Sequence, residues 1–184
     1  MFGLLPDGHR HRRNHHDGPR AAQSDRREQQ LDSSAGGQLQ SHDVFLGDNC
    51  ILENGATLAG HVELGNNVVI GGLTPIHQFV HIGDYAMIAG ASALSQDIPP
   101  YCLAEGNRAS LRGLNLTGLR RNIDRDDINR LKIVYKELFE SGEPLQDTAK
   151  KLLENEKSEI IKNLLEFVSK SKRGIPYTRK NING

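Results

Sequence analysis

Residues 64–93 read LGNNVV IGGLTP IHQFVH IGDYAM IAGASA when broken into sixes, and an aliphatic residue opens every block. Neither the 3.6-residue period of a helix nor the two-residue period of an ordinary strand explains that spacing. Counting outward in the same step gives Leu46, Leu52, Leu58, Leu64, Ile70, Ile76, Ile82, Ile88 and Leu94, without an exception. Four residues after each stand Cys50, Ala56, Val62, Val68, Thr74, Val80, Ala86, Ser92 and Ile98, all small or β-branched. The second position is Gly or Ala in Gly47, Ala59, Gly65, Gly71, Gly83 and Ala89, which reads as a turn near a corner.

This is a hexapeptide repeat, in which six residues make one short face of a triangular prism and three faces make a coil. Nine sixes predict about three coils of parallel β-helix, left-handed by the habit of this repeat class, with the aliphatics stacked as an inward ladder. Those aliphatics are core and carry no chemistry. A solenoid end exposes strand edges and apolar core, so both ends need a cover.

Composition sets the rest of the chain apart. Residues 1–41 hold no Val, Ile, Lys or Thr and are crowded with Arg, His, Asp, Gln and Gly, which predicts a disordered segment. Its HRHRRNHH run offers imidazoles and guanidiniums for a metal or phosphate, but no neighbouring scaffold to fix them. The expected divisions are 1–41 disordered, 42–100 β-helix, 101–123 a connecting segment and 124–184 an α-helical domain. In the last, DRDDINRLKIVYKELFESG places Ile128, Leu131, Val134, Tyr135, Leu138 and Phe139 on one face. A second helical stretch starts near Pro144, breaks near Asn155, and stops at Gly174 and Pro176.

Among 184 residues, 23 basic side chains balance 23 acidic ones, so charge suggests neither a nucleic-acid nor a membrane partner. No apolar run approaches a bilayer span, and a cytoplasmic protein is expected. Cys50 and Cys102 have no metal-ligand spacing.

Polar residues that interrupt the prism are the place to look for chemistry. His42 and Asp43 are adjacent at its start, His61 follows Asp43 by one 18-residue coil, and His77 with Gln78 falls about one coil later. Imidazole accepts a proton from a hydroxyl near neutral pH, and a carboxylate fixes its tautomer. A zinc site is the rival use, without a ligand pair at close spacing to support it.

The motifs NGATLAGHVELG, GGLTPIHQF and QDIPPYCLAEGNRA, set in the stretch from His42 to Arg121, resemble the UDP-N-acetylglucosamine O-acyltransferases that open lipid A biosynthesis. The resemblance implies a homotrimer that moves an R-3-hydroxyacyl group from acyl carrier protein to the sugar 3-hydroxyl, with no metal and no dissociable cofactor. On the matching positions it implies His42 as general base, Asp43 as its orienting carboxylate and the Gly60 N–H as oxyanion donor. His61, Gly72, His77 and Gln78 match positions that line the substrate pocket, Asn115 and Arg121 positions that hold the nucleotide, and Gly90 the position that measures acyl length.

The chain departs from that pattern at Leu39, where a further His is usual, at Thr117 for Glu and at Asn122 for Arg. Residues 1–41 replace several expected coils, as an N-terminally truncated or frame-shifted relative would. The alternative function is a non-catalytic trimerisation or carrier-protein-binding module.

Overall fold

A computed structural model describes residues 43–178; the HRHRRNHH run and His42 lie outside the described residues. Eight two-residue strands make the prism: β1 (Phe45–Leu46), β2 (Ile51–Leu52), β3 (Thr57–Leu58), β4 (Glu63–Leu64), β5 (Val69–Ile70), β6 (Pro75–Ile76), β7 (His81–Ile82) and β8 (Met87–Ile88). They lie in three parallel sheets whose register advances by one coil, Leu46 on Leu64 on Ile82, Leu52 on Ile70 on Ile88, and Leu58 on Ile76. Isolated bridges continue the ladders to Leu94 and Ile98. The expected solenoid of about three coils is what the chain forms.

The ladder fills the interior. From Leu58 onward every first and fifth position of the hexads is buried, whereas Leu46, Cys50, Leu52 and Ala56 of the first coil are half-buried. Polar residues at the fifth position are satisfied within the stack. Thr74 Oγ1 donates to the Ala89 carbonyl at 3.3 Å, Cys50 Sγ to the Gly65 carbonyl at 3.1 Å, and Ser92 Oγ accepts from the Gly106 N–H at 3.1 Å.

The corners correct one expectation. At the corners the left-handed residues are Asp43, Asn49, Gly55, His61, Asn67, Leu73, Phe79, Tyr85 and Ala91, the last eight being the fourth position of each hexad from Leu46 to Ala93, and one of the nine is glycine. The second-position glycines do not turn the chain at positive φ; they are small because the next coil is close. A Cβ on Gly47 would stand 2.4 Å from the Gly65 carbonyl oxygen, and one on Gly71 would stand 2.4 Å from the Gly90 nitrogen. A non-glycine residue in the left-handed region costs of order 1 kcal/mol. It is tolerated here because hydrogen bonds between successive coils fix the corners, as Asn67 N–H to Asp48 O at 2.8 Å and Tyr85 N–H to Asn66 O at 2.8 Å.

Residues 101–123 are more than a connection. Strand β9 (Cys102–Glu105) pairs parallel to β8, and β10 (Ser110–Leu114) returns antiparallel to β9, with an irregularity between Leu111 and Gly113. The short helix α1 (Leu116–Asn122) follows, then α2 (Arg125–Phe139), α3 (Leu145–Leu153) and α4 (Glu159–Lys170). On α2 the expected face is buried apart from Tyr135, which is half-buried. The break between α3 and α4 is held by Glu156, which accepts from the Lys157 and Ser158 N–H groups at 2.8 Å each and from Arg130 at 2.6 Å.

The helices form a second core that meets the solenoid through Leu111, Leu114 and Tyr135. Burial pushes the Tyr101 phenol up to about 12 and raises the Tyr135 phenol and the Cys102 thiol, so all three stay protonated. Beyond α4, residues 171–177 run back over the last coil. Asp97, 1 % exposed, accepts from the His81 N–H at 2.9 Å and Ser171 Oγ at 2.7 Å, and its own N–H donates to the Gly174 carbonyl at 3.0 Å. Among the described residues no helix is long and apolar enough to cross a membrane.

Candidate active site

The solenoid corner that follows β3 carries most of the chemistry. The alternation that sends Leu58 and Val62 inward leaves Ala59, Gly60 and His61 to turn outside the prism. One coil earlier that corner holds Asp43, and one coil later His77, Gln78 and Phe79. The fourth-position residues stand in register, Asp43 beside His61 and His61 beside Phe79. His61 Nε2 lies 3.5 Å from Asp43 Oδ2, both side chains about half exposed or more, and its ring stacks on Phe79 with centroids 4.8 Å apart at 26°. The carboxylate orients one nitrogen of the ring while the aromatic face fixes its plane. The row is therefore carboxylate, imidazole, phenyl; His77 is in register with Ala59 and Ser95, two positions before the corner.

The neighbouring main chain is suited to an oxyanion. Some third-position N–H groups donate to side chains of an adjacent coil, as Asp48 to Asn66 Oδ1 at 2.8 Å and Asn66 to Asp84 Oδ1 at 2.7 Å, whereas among the described residues those of Asn54, Gln78, Asp84 and Gly90 have no acceptor. At Gly60 the carbonyl accepts from the Phe79 N–H at 3.1 Å, while among the described residues the N–H has no acceptor. Gly60 thus presents a backbone donor next to His61, the geometry from which an oxyanion is stabilised.

The other sequence-derived candidates fall in three places. His77 Nδ1 lies 3.2 Å from Arg173 Nη2 and 3.2 Å from the Gln78 carbonyl oxygen. Gly72 and Gly90 stack on the next corner, where Gly72 N–H donates to Glu53 Oε2 at 3.0 Å and a Cβ on Gly90 would stand 3.3 Å from the Gly72 oxygen. Gly90 is exposed, and even a methyl group would press lightly on that neighbour. Asn115 is buried and occupied: its Oδ1 accepts from the Gly118 N–H as the cap of α1, and its Nδ2 donates to the Tyr85 carbonyl at 3.0 Å. Arg121 is exposed in the last turn of α1 and lines, with Arg120, Asn122 and Asp124, a depression of about 420 Å³.

Sequence reasoning passed over His81, Glu63, Asp97 and Arg173. His81 lies 3.6 Å from Glu63 and 4.0 Å from Asp97, a cluster whose members are paired by register and by the returning tail. The 18-residue step from Glu63 to His81 was a usable signal. The separation of 96 positions between His77 and Arg173 left none. Among the described residues, no group of three or more His, Cys, Asp or Glu side chains is placed to hold a metal ion.

Residues 97–176 match the family described as UDP-N-acetylglucosamine O-acyltransferase, domain 2, and residues 43–74 match the bacterial transferase hexapeptide repeat. The chain is 67 % identical over 141 residues to the acyl-[acyl-carrier-protein]–UDP-N-acetylglucosamine O-acyltransferase of Nautilia profundicola, covering 76 % of this chain and 54 % of that one. It is 75 % identical over 140 residues to the same-named protein of a Sulfurovum species, with the same coverage. The solved UDP-N-acetylglucosamine acyltransferase of Campylobacter jejuni superposes with a TM-score of 0.72 at 60 % identity, covering 75 % of this chain and 54 % of that one. The chain spans about half the length of the curated relatives it matches. Over the stretch it shares with them, the chain is similar to the UDP-N-acetylglucosamine O-acyltransferases.

Proposed function

We propose that the chain carries out the reaction its relatives are named for, transfer of an acyl group from acyl carrier protein to UDP-N-acetylglucosamine, with an R-3-hydroxyacyl donor and the sugar 3-hydroxyl as acceptor. This would open lipid A biosynthesis in the cytoplasm. The observation that supports it most is the corner itself: an imidazole held between a carboxylate and an aromatic ring, beside an N–H with no acceptor among the described residues, in a segment similar to these acyltransferases.

In this reading His42, with Asp43 beside it in sequence, takes the proton of the sugar hydroxyl as that oxygen attacks the thioester carbonyl. The Gly60 N–H stabilises the tetrahedral oxyanion. Collapse breaks the C–S bond, and the imidazolium returns the proton to the departing thiolate, so an ester and a free thiol result. His61, Gly72, His77 and Gln78 line the pocket, Arg121 offers a guanidinium to the phosphates, and Asn115 supports α1 as its cap. Gly90 leaves the acyl groove open. No metal or dissociable cofactor is needed for these steps. Corner residues Leu73 and Phe79 are large and exposed, which favours a homotrimer that packs these faces.

The test is stoichiometric. The purified chain is incubated with hydroxyacyl carrier protein and UDP-N-acetylglucosamine, and released thiol and acylated sugar nucleotide are measured together. Equal release of both is expected. A second reading is a carrier-protein-binding or trimerisation module, which binding of acyl carrier protein without thiol release would establish instead.

A further inference from the structure

Arg173 belongs to the segment that returns from α4, far in sequence from the corner, yet it ends against a site residue. Its backbone is held on the last coil: the Arg173 carbonyl accepts from Gln96 Nε2 at 3.4 Å, and the next residue's carbonyl accepts from the Asp97 N–H at 3.0 Å. Its guanidinium is held in turn, because Nε and Nη2 both donate to the Ser95 carbonyl at 3.1 Å. Ser95 and His77 are one coil apart and in register. The fixed fork therefore aims the second hydrogen of Nη2 at His77 Nδ1, 3.2 Å away.

A guanidinium carries donors and no acceptor. The Arg173 contact exists only while Nδ1 holds a lone pair, which puts the ring proton on Nε2. The Gln78 carbonyl, also 3.2 Å from Nδ1, requires the opposite, a proton on Nδ1. The two contacts exclude one another, so whichever prevails decides whether Nε2 is a donor or an acceptor. Three features favour the first: the donor is charged, it is anchored by two further bonds, and an imidazolium would set N–H against N–H. Charge-assisted hydrogen bonds are roughly twice as strong as neutral ones.

We infer that Arg173 is a positioning residue for His77: from the C-terminal segment it selects the Nε2–H tautomer and makes the ring a hydrogen-bond donor at Nε2. That donor suits an oxygen-rich ligand such as a sugar nucleotide. Its bearing on acyl transfer rests on the reading of His77 as a site residue, whereas the tautomer itself does not.

The experiment is nitrogen NMR of the full chain labelled with ¹⁵N-histidine, in mildly alkaline buffer where free imidazole is neutral. The His77 ring is assigned by its loss in His77→Gln. The expected wild-type pattern is a pyridine-type Nδ1 and a pyrrole-type Nε2. Arg173→Met, which keeps the aliphatic stem, is expected to exchange the two signals as Nδ1–H turns to the Gln78 carbonyl, and Arg173→Lys to restore the wild-type pattern. A pyrrole-type Nδ1 in the wild type overturns the inference, and this spectrum decides even if the methionine variant does not fold. An unchanged pattern in folded Arg173→Met overturns it too. In the acyl-transfer assay Arg173→Met is expected to raise KM for the sugar nucleotide several-fold with kcat nearly unchanged. Exchanged signals with unaltered KM would overturn the role of His77 in substrate binding and uphold the tautomer.

Discussion

The first and last described coils of the solenoid are built from the same hexads and hold them differently. In the last coils the ladder is sealed, with Ile82, Ile88 and Ile98 at most 2 % exposed, and β9, β10 and the returning tail lie against it. Buried Asp97, half-buried Asp84 and the Ser95 carbonyl accept from Ser171, Asn163 and Arg173, which belong to α4 or the segment that follows it. In the first described coil Leu46 and Leu52 are half-buried and the strands have a neighbour on one side only among the described residues. The difference teaches that a repeat supplies equal residues, while their worth depends on how many coils lie above and below. The candidate site spans the divide, with Asp43 on the first described coil and His77 tied to the returning tail.

Substitutions sharpen that contrast. The largest effect is expected in the sealed ladder, where Ile82→Ala should cost about 2–5 kcal/mol against less than half of that for Leu46→Ala, as read from denaturant midpoints. Equal losses would refute the graded ladder. Next comes Gly71→Ala, whose methyl would meet the Gly90 backbone and should cost about 1–3 kcal/mol or more, while Gly90→Ala should change stability by less than about 1 kcal/mol. Asp97→Ala removes the acceptor shared by the His81 N–H and Ser171 Oγ. About 1–3 kcal/mol should be lost, and hydrogen exchange should quicken first in residues 171–177.

The smallest effect lies away from the solenoid, at Glu156. Burial alone would raise its pKa, but the Lys157 and Ser158 N–H groups and the Arg130 guanidinium outweigh it and hold the carboxyl below its ordinary value. A carboxyl depressed in the folded state adds stability that is present above its unfolded pKa of about 4.3 and lost as pH falls through the folded value. Glu156→Gln should therefore lose about 1 kcal/mol at neutral pH and flatten the acid side of the stability profile. A profile parallel to that of the wild type would contradict this.

What the sequence made legible follows the same division. The coils and their inward residues were readable because each hexad repeats one job, so nine aliphatics six apart leave one arrangement. The helices were readable from their stripes, and the break near Asn155 appears at residues 154–158 where Glu156 turns onto backbone N–H groups. The corner glycines misled, because composition does not distinguish a positive φ from a close approach of the next coil, and Asn, Tyr, Leu and Phe take the left-handed positions instead. Strands β9 and β10 escaped notice because Cys102 to Leu114 has no six-residue step. Of the site, Asp43 and His61 were visible as one coil apart; Phe79 and Arg173 were not, since one looks like misplaced core and the other arrives from the far end of the chain. Asn115, singled out for binding, also caps α1, with Gly118 on its Oδ1 and the Tyr85 carbonyl on its Nδ2.

The most direct test of the functional account is the rate at which the 184-residue chain acylates UDP-N-acetylglucosamine from hydroxyacyl carrier protein, beside His42→Ala. The account expects measurable transfer in the wild type and a fall of about 10²–10⁴-fold in the variant, the usual contribution of a general base. Equal rates in the two would contradict the assignment of the base. Absence of transfer in the wild type, with carrier protein bound, would contradict catalysis by this chain.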